Sequence, residues 1–527
     1  IYLGAQYLFR SRDRGDTWER ISPDLTSNDP EKQMQEESGG ITVDNSSAEM
    51  YTTIYSISES PLDAHVLWAG TDDGNLQLSR DGGRTWNNVV GNVPGLPKAS
   101  WVSWVEASRF DAATAYAAFD RHTFGDMTPW VYKTSDFGKS WRRVASPDQG
   151  VRGYAHVIKE DAVSSSLLFL GTEFGLWISP DGGLHWARFA GNEFPSVAVR
   201  EIQVHPRDHD LVLATHGRGI WIIDDLTPLR GLTSEILGRE AAFLPGRPVQ
   251  QRMPASGGWP EGDAAFTGEN PSGGAVVTYY QRARHLFGPI KLEIFDAEGK
   301  LVDTVLATKR RGLNRVAWTM QVKPPRVPRA AQVAFNASQG PRVPPGTYTV
   351  RLTKGQATIE QKLAIGVDRR AAYGPAERKE QFEAVMRAHN LFNDVSVLVD
   401  RIDSARGAMA ERAKAVPETD ALGSRLREAG AKIDQLKRRI VATKEGGAIT
   451  GEERIREHLD TVYGALNGWE GKPARYQVDR IETLRRELND VAAEFDAFAA
   501  KELPALDEEL KRRNLVPVGG AKPVGQP

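Results

Sequence analysis

Ser79-Arg80-Asp81-Gly82-Gly83-Arg84-Thr85-Trp86 decides how this chain is to be read, because the same eight-residue pattern comes round four times. The other copies are Ser11 to Trp18 (SRDRGDTW), Thr134 to Trp141 (TSDFGKSW) and Ser179 to Trp186 (SPDGGLHW). In each, a hydroxyl residue stands two places before an Asp, a Gly follows two later, and a Trp closes the pattern. The Asp carboxylate can accept hydrogen bonds from the N–H groups of its own turn, the Gly can take φ > 0, and the Trp can return to the apolar side. The octet therefore predicts a hairpin tip stapled by one side chain and anchored by one ring. On this reading Asp13, Asp81, Asp136 and Asp181, with Trp18, Trp86, Trp141 and Trp186, are scaffold and not a catalytic set.

The copies start 68, 55 and 45 residues apart, which fits a repeating unit of one four-stranded sheet plus insertions. Between 51 and 90 the unit is clearest. TTIYSISESP reads as an inner strand, HVLWAGT as a second and NLQLSRD as a third, and the octet turns the chain into a last strand, TWNNVV. Further units run 101 to 145, 151 to 189 and 198 to 224, the last without an octet, and residues 1 to 21 form the latter part of an earlier one. Residues 22 to 50 are polar, lack an apolar period and exceed the usual interstrand loop, so they read as a functional or disordered excursion.

The octet is similar to the Asp-box, or BNR repeat. The stretches VLWAGTDDGNLQLSRDGGRTW, LLFLGTEFGLWISPDGG and LVLATHGRGIWIIDD resemble bacterial BNR-repeat proteins of the sortilin N-terminal-like, glycosyl-hydrolase-like kind. The resemblance is strongest over residues 1 to 225 and implies a β-propeller. Propellers close with about four to eight blades, so the four and a half or so units here imply an incomplete ring whose remaining blades precede Ile1. It also implies a secreted or periplasmic protein. It does not imply one activity, because such propellers include sialidases, xyloglucan-degrading glycosidases, peptide-binding receptors and assembly factors.

After the repeats, residues 238–273 turn to Pro, Gly and Ala and read as a linker. Residues 274–368 alternate with period two around a tight turn at Ala297-Glu298-Gly299, which suggests a small Ig-like β-sandwich. From about 374 the period is helical. Phe382, Val385, Met386, His389, Phe392, Val395 and Leu398 form one stripe; Leu422, Leu426, Ile433, Leu436 and Ile440 form a second; Val478, Ile481, Leu484, Leu488, Val491, Phe495 and Phe498 form another. A further helix, third of four in chain order, is expected from near Thr450, whose hydroxyl with Glu453 fits a capping box. The expected fold class is thus mainly β with an α-helical C-terminal module. Its parts are a partial Asp-box propeller over 1–237, the linker, the sandwich, an antiparallel helical bundle over 374–514 and a disordered tail over 515–527.

The totals narrow the function. Lys plus Arg number 67 against 69 Asp plus Glu, so no overall field favours nucleic acid or an anionic membrane. The absence of Cys excludes disulfides, thiolate chemistry and Cys-ligated zinc. No apolar run approaches the roughly 18 residues a membrane span needs. No Gly-rich phosphate loop, nucleophile elbow or EF-hand spacing appears, and no cofactor is implied.

Strand alternation then separates two sets of residues. If the octet joins the third and fourth strands, the turn between the second and third lies at the opposite end. That end collects Asp72 and Asp73, Asp120 with Arg121 and His122, Glu173, and His216 with Arg218. Glycoside hydrolysis needs two carboxyl groups about 5 to 9.5 Å apart, and Asp72, Asp73, Asp120 and Glu173 are the candidates, although acidic residues are common in tight turns for structural reasons. Arg121 and Arg218 can grip a carboxylate or sugar hydroxyls through paired N–H donors; His122 and His216 can serve as base or ligand. The sialidases resembled here carry an Arg-Ile-Pro segment, which is absent. His205, Asp208, His209 and Asp210 lie close in sequence but in a polar turn, so no metal site is assigned. Three functions are expected in order: binding of an extended polysaccharide or peptide at that end, glycoside hydrolysis there, and a scaffold role in which the helices recruit a protein partner.

Overall fold

The computed structural model describes residues 1–37, 41–42, 51–191, 193–252, 270–446 and 451–519. It consists mainly of β-sheets with a helical C-terminal part. The chain divides into two compact units, Ile1–Arg247 with Tyr280–Arg282, and Pro248–Tyr279 with Ala283–Pro527.

The first unit is a succession of antiparallel meanders, each paired in chain order. They comprise β1 (Tyr2–Gly4), β2 (Leu8–Arg10) and β3 (Glu19–Arg20); β4 (Ile54–Glu59), β5 (Leu67–Thr71), β6 (Leu76–Ser79) and β7 (Asn87–Asn88); β8 (Trp101–Ala107), β9 (Ala115–Arg121), β10 (Asp126–Thr134) and β11 (Arg142–Ala145); β12 (Ala155–Glu160), β13 (Leu168–Thr172), β14 (Gly175–Ser179) and β15 (Ala187–Arg188); and β16 (Val199–Val204), β17 (Leu211–Thr215) and β18 (Ile220–Ile223). The first strands stand side by side, β4 against β8, β8 against β12 and β12 against β16.

The apolar residues of each meander are sealed against the next. Trp68, Leu76, Val102, Phe119 and Trp141 form one such core, Tyr116, Val144, Ile158, Leu170 and Trp177 a second, and Val157, Phe169, Leu176, Ile202 and Leu213 a third. A fully buried side chain of this size contributes about 1.5–3 kcal/mol, so the stack is held mainly by these interfaces. Close approach requires glycine in two of the second strands, β5 and β13. A Cβ on Gly70 would fall 2.4 Å from Val102 Cγ1, and one on Gly171 would fall 2.5 Å from the Val199 carbonyl oxygen.

The octets sit between the last two strands of four meanders, and their hydrogen bonds follow one scheme. Ser79 Oγ accepts the Gly83 N–H at 2.8 Å and donates to Asp81, whose carboxylate accepts the N–H and hydroxyl of Thr85 at 2.9 and 2.7 Å. Asp13 holds Thr17, Asp136 holds Ser140 and Asp181 holds His185 in the same way. Trp86 Nε1 meets the expectation that the ring anchors its own hairpin, donating to the Gly83 carbonyl at 3.1 Å, and the rings also reach beyond it. Trp86 Nε1 donates to the Ile21 carbonyl and Trp186 Nε1 to the Val144 carbonyl, both in the preceding meander, and Trp141 packs edge-on to Trp68 at 6.0 Å. Trp18 is 42% exposed. The octet therefore ties a sheet to its predecessor as well as closing a turn.

The two ends of the sheets are distinct. At one, the octet turn is bonded to the loop joining the first two strands, through Gly82 N–H to His65 O and Gly182 N–H to Ser166 O. At the other, the turn between second and third strands is bonded to the residue leading into the first strand. Here Asp72 N–H donates to Thr53 O, Glu173 N–H to Tyr154 O and His216 N–H to Ala198 O. Of the excursion after residue 21, residues 22–37 are described: Leu25 is buried, and Ser22 Oγ accepts the Leu8 N–H at 2.7 Å. Residues 38–40 and 43–50 lie outside the described residues.

In the second unit a five-stranded sheet runs in the spatial order Val249–Gln251, Ala357–Val367, Gly346–Lys354, Ile290–Phe295, Leu301–Val305. The turn at 297–299 closes with Gly299 at φ 80° and Asp296 accepting the Lys300 N–H at 2.8 Å. The helices Pro375–Lys414, Ala421–Ile440, Ile455–Asn467 and Arg475–Lys501 share one apolar core with a fifth, Leu503–Arg512, which the stripes did not reveal because it continues the period of the helix before it. The expected start near Thr450 is corrected to Ile455, with Arg454 at the cap and no side-chain bond there. Thr450 itself lies outside the described residues, as do 253–269 of the linker and 520–527 of the tail. Arg378, buried at the base of the longest helix, donates to the carbonyls of Arg342 and Val343 and so fastens the helix to the segment that leads into the strand Gly346–Lys354.

Candidate functional site

Each first strand of the four meanders after residue 50 carries a β-bulge near its leading end. The ladders shift register between Ile54 and Ser56, between Val102 and Trp104, between Ala155 and Val157, and between Val199 and Glu201. The extra residues are Tyr55, Ser103, His156 and Arg200. A bulge leaves one residue unpaired and re-aims its side chain while the flanking ladder keeps its register. All four re-aimed residues line one cavity of about 750 Å³, together with Trp101, His122, Glu201 and His216. A second cavity of about 430 Å³ shares Arg200 and His216 and adds Tyr154, Glu173 and Phe174.

The floor is a linked polar set. Asp120, whose side chain has no exposed surface, accepts the His122 N–H at 2.9 Å and lies 2.6 Å from His122 Nδ1. Its other oxygen is 3.4 Å from His156 Nδ1. That nitrogen is also 3.1 Å from an Arg200 N–H, so His156 donates to the carboxylate in one tautomer and accepts from the guanidinium in the other. Arg200 donates to the Tyr154 hydroxyl at 2.9 Å. The His122 ring stacks on Tyr154 at 4.7 Å, and Trp101 sits edge-on to Tyr55 and His156.

Burial acts to raise the Asp120 carboxyl, but hydrogen bonds from His156 and His122 outweigh it and hold the group below the ordinary carboxylate range. Burial first, and the Glu173 carboxylate second, push the Tyr154 hydroxyl up to about 12 against the pull of Arg200. Burial also raises Tyr55. The set is thus an ionised, buried acid under imidazoles and neutral phenols, with one guanidinium beside them.

The residues singled out in the sequence divide. His122, His216 and Glu173 line the two cavities. Asp120 lies beneath, holding two imidazoles. Asp72 accepts the Thr53 N–H at 2.8 Å and its hydroxyl, and burial raises its carboxyl; Asp73 accepts the Ser27 N–H at 2.6 Å and the Thr71 hydroxyl. Both therefore secure backbone. Arg121 turns to the Lys98 carbonyl, Ser100 and Asp126, with Phe124 stacked on it, and the backbone carbonyl of Arg218 accepts the Trp221 indole N–H. Of the His205 group, Asp208 is gripped by Arg207, and Asp210 accepts the Asp225 N–H. Among the described residues no group of three His, Cys, Asp or Glu is placed to hold a metal ion, and no helix is long and apolar enough to cross a membrane. The residues missed are Tyr55, Trp101, Tyr154, His156, Arg200 and Glu201.

No family model matches the chain. An 88-residue stretch is 30% identical to the oligoxyloglucan-reducing end-specific xyloglucanase of Emericella nidulans, covering 17% of this chain and 10% of that protein. Among solved structures, the GH74 xyloglucanase from Xanthomonas campestris matches with a TM-score of 0.30 at 12% identity over 67% of this chain and 48% of that one. The GH74 enzyme of Niastella koreensis matches at 0.28 and 11% over 41% and 32%. YCF48 bound to D1 peptide matches at 0.26 and 17% over 41% and 58%. The chain spans less than two thirds of the length of each.

Proposed function

We propose that the first unit is part of an extracytoplasmic Asp-box β-propeller that binds an extended polysaccharide across the end opposite its octets. In this reading an Ig-like sandwich (274–368) and a helical bundle (374–514) serve as spacer or docking modules. The observation that carries it is the convergence of four bulges on one cavity, which sets Tyr55 and Trp101 beside His122, His156, Arg200, Glu201 and His216. Aromatic rings present faces to the C–H surfaces of a sugar while imidazole, guanidinium and carboxylate groups meet its hydroxyls. The local identity to a protein named for xyloglucan supports a glucan-like chain over a peptide.

Calorimetric titration with xyloglucan oligosaccharides, a peptide library serving as the control, tests this. Trp101→Ala is expected to weaken glycan binding at least about tenfold, the worth of one stacked ring. Binding of peptides alone, or glycan binding unmoved by Trp101→Ala, would overturn the glycan reading.

A second reading rests on Tyr154, whose hydroxyl lies between Arg200 and Glu173. Some glycosidases use a Tyr nucleophile in place of a second carboxylate, and Glu173 is placed to take the proton of a hydroxyl that burial keeps neutral. Release of reducing ends that disappears in both Tyr154→Phe and Glu173→Gln supports hydrolysis; binding without turnover supports a receptor.

A further inference from the structure

One end of the five-stranded sheet in the second unit has a composition unlike the rest of the chain. The segments that meet there are 284–291, 305–312 and 353–358. Together they hold Arg284, Lys291, Lys309, Arg310, Arg311 and Lys354, plus His285, and no Asp or Glu. Strand pairing brings them together, since Leu292 opposes Val305, Ile290 opposes Lys354 and Lys354 opposes Ala357. The first two segments are also bonded to each other. His285 N–H donates to the Lys309 carbonyl at 3.0 Å, and Lys309 Nζ donates to the Gly288 carbonyl at 3.2 Å.

Three large apolar side chains project from this basic end: Leu286 is 65% exposed, Phe287 86% and Leu306 88%. They are not on slack chain. The buried Asn314 side chain accepts from Thr308 Oγ1 and the Arg310 N–H and donates to the carbonyls of Arg310 and Gly312, so one amide fixes the whole 308–312 loop. Tyr279 adds a bond from its hydroxyl to the Thr308 carbonyl at 2.6 Å. Leu286 and Phe287 stand between His285 and Gly288, both bonded to Lys309 of that loop, and Leu306 stands two residues before it. Apolar side chains kept in water beside an anchored loop, among one sign of charge, fit a surface that is apolar within and anionic at its face.

We propose that this end of the sheet is a membrane-contact tip, which inserts Leu286, Phe287 and Leu306 among the headgroups of an anionic lipid surface while the basic residues meet the lipid phosphates. A soluble polyanion would satisfy the charges but leave the three apolar side chains without a purpose. The lipid surface satisfies both. The contact is independent of the glycan cavity in the other unit, and neither residue set overlaps the other.

Flotation of the chain with vesicles of phosphatidylcholine, with and without phosphatidylglycerol, tests the proposal. Binding is expected to the anionic vesicles and to fall about fivefold for each charge removed, as in Lys309→Gln or Arg311→Gln. The triple change Leu286→Ser, Phe287→Ser, Leu306→Ser is expected to lower partitioning at least about tenfold while leaving glycan binding and the melting profile in place. Phe287→Trp supplies a second readout, a blue shift of emission on anionic vesicles from the new indole, read against the parent chain. No partitioning to anionic vesicles overturns the proposal. So does capture by heparin equal to capture by vesicles and unaffected by the triple change, which would make the partner a soluble polyanion.

Discussion

Replacing Asp120 by Ala tests whether the cavity floor is a linked set. The carboxylate makes two short bonds to His122, at 2.9 and 2.6 Å, and a longer approach of 3.4 Å to His156. Hydrogen bonds to a charged group contribute about 1.5–3 kcal/mol each, so two of them amount to about 3–6 kcal/mol. Removing the acid also relieves the cost of keeping a charge out of water, which offsets part of this and leaves an expected loss of about 2–4 kcal/mol. The sign of the pH dependence follows from the direction of the shift. Because the folded carboxyl lies below its unfolded value, its stabilisation is fully present above the ordinary carboxylate range and is lost as pH falls through the folded value. The gap between wild type and variant in urea midpoint, followed by Trp fluorescence, should therefore be constant above about pH 5 and narrow below it. Freed of Asp120, the His122 ring loses its register on Tyr154, and glycan affinity should fall with stability. A variant that unfolds at the wild-type midpoint at neutral pH, or a gap that stays undiminished on acidification, would refute the linked floor.

Three further changes probe the scaffold. Gly171→Ala places a Cβ 2.5 Å from the Val199 carbonyl oxygen and from Val157 Cγ1; about 1–3 kcal/mol of destabilisation is expected by scanning calorimetry, the clash outweighing the smaller gain from the lost freedom of glycine. Ser79→Ala strands the buried Gly83 N–H and should cost about 1–3 kcal/mol in a urea titration, whereas Ser79→Thr should be near neutral because Thr134 fills the same place in another copy. Arg230→Met removes a bidentate partner, 2.8 Å at both bonds, from the fully buried Asp161, and a loss of about 3–5 kcal/mol is expected, partly recovered when Asp161→Asn is added.

What could be read in the sequence was local, and what could not was assembled across strands. The octet is legible because its bonds run from Ser79 to Gly83 and from Asp81 to Thr85, four residues apart, so residue order alone sets the geometry. Strand alternation likewise put His122, Glu173 and His216 at the end away from Asp81. The docking of Trp86 on Ile21 spans 65 residues and left no trace in the octet. Nor did Tyr55, Trp101, His156 and Arg200, since each is a single polar or aromatic side chain in a strand that otherwise reads as core. The available signal was the repeated break in alternation at the leading end of the four first strands after residue 50, which a bulge produces and which period-two counting treats as noise.

Those bulges also explain how one sheet succession can hold a core and a polar cavity at once. A first strand with strict alternation would commit every second side chain to the sheet interfaces, and a polar group at such a position would be buried without partners. One inserted residue escapes that choice. Val157 and Val199 stay sealed in the apolar core between sheets while His156 and Arg200, next to them in the chain, turn to the cavity. The octets act at the other end of the same sheets, where they bond to the loops joining first and second strands. On the proposed reading, exchange of Tyr55, His156 and Arg200 alters what the cavity accepts while the ladders that order the sheets stay in place, whereas Ser103, which donates to the Ala118 carbonyl, belongs to both.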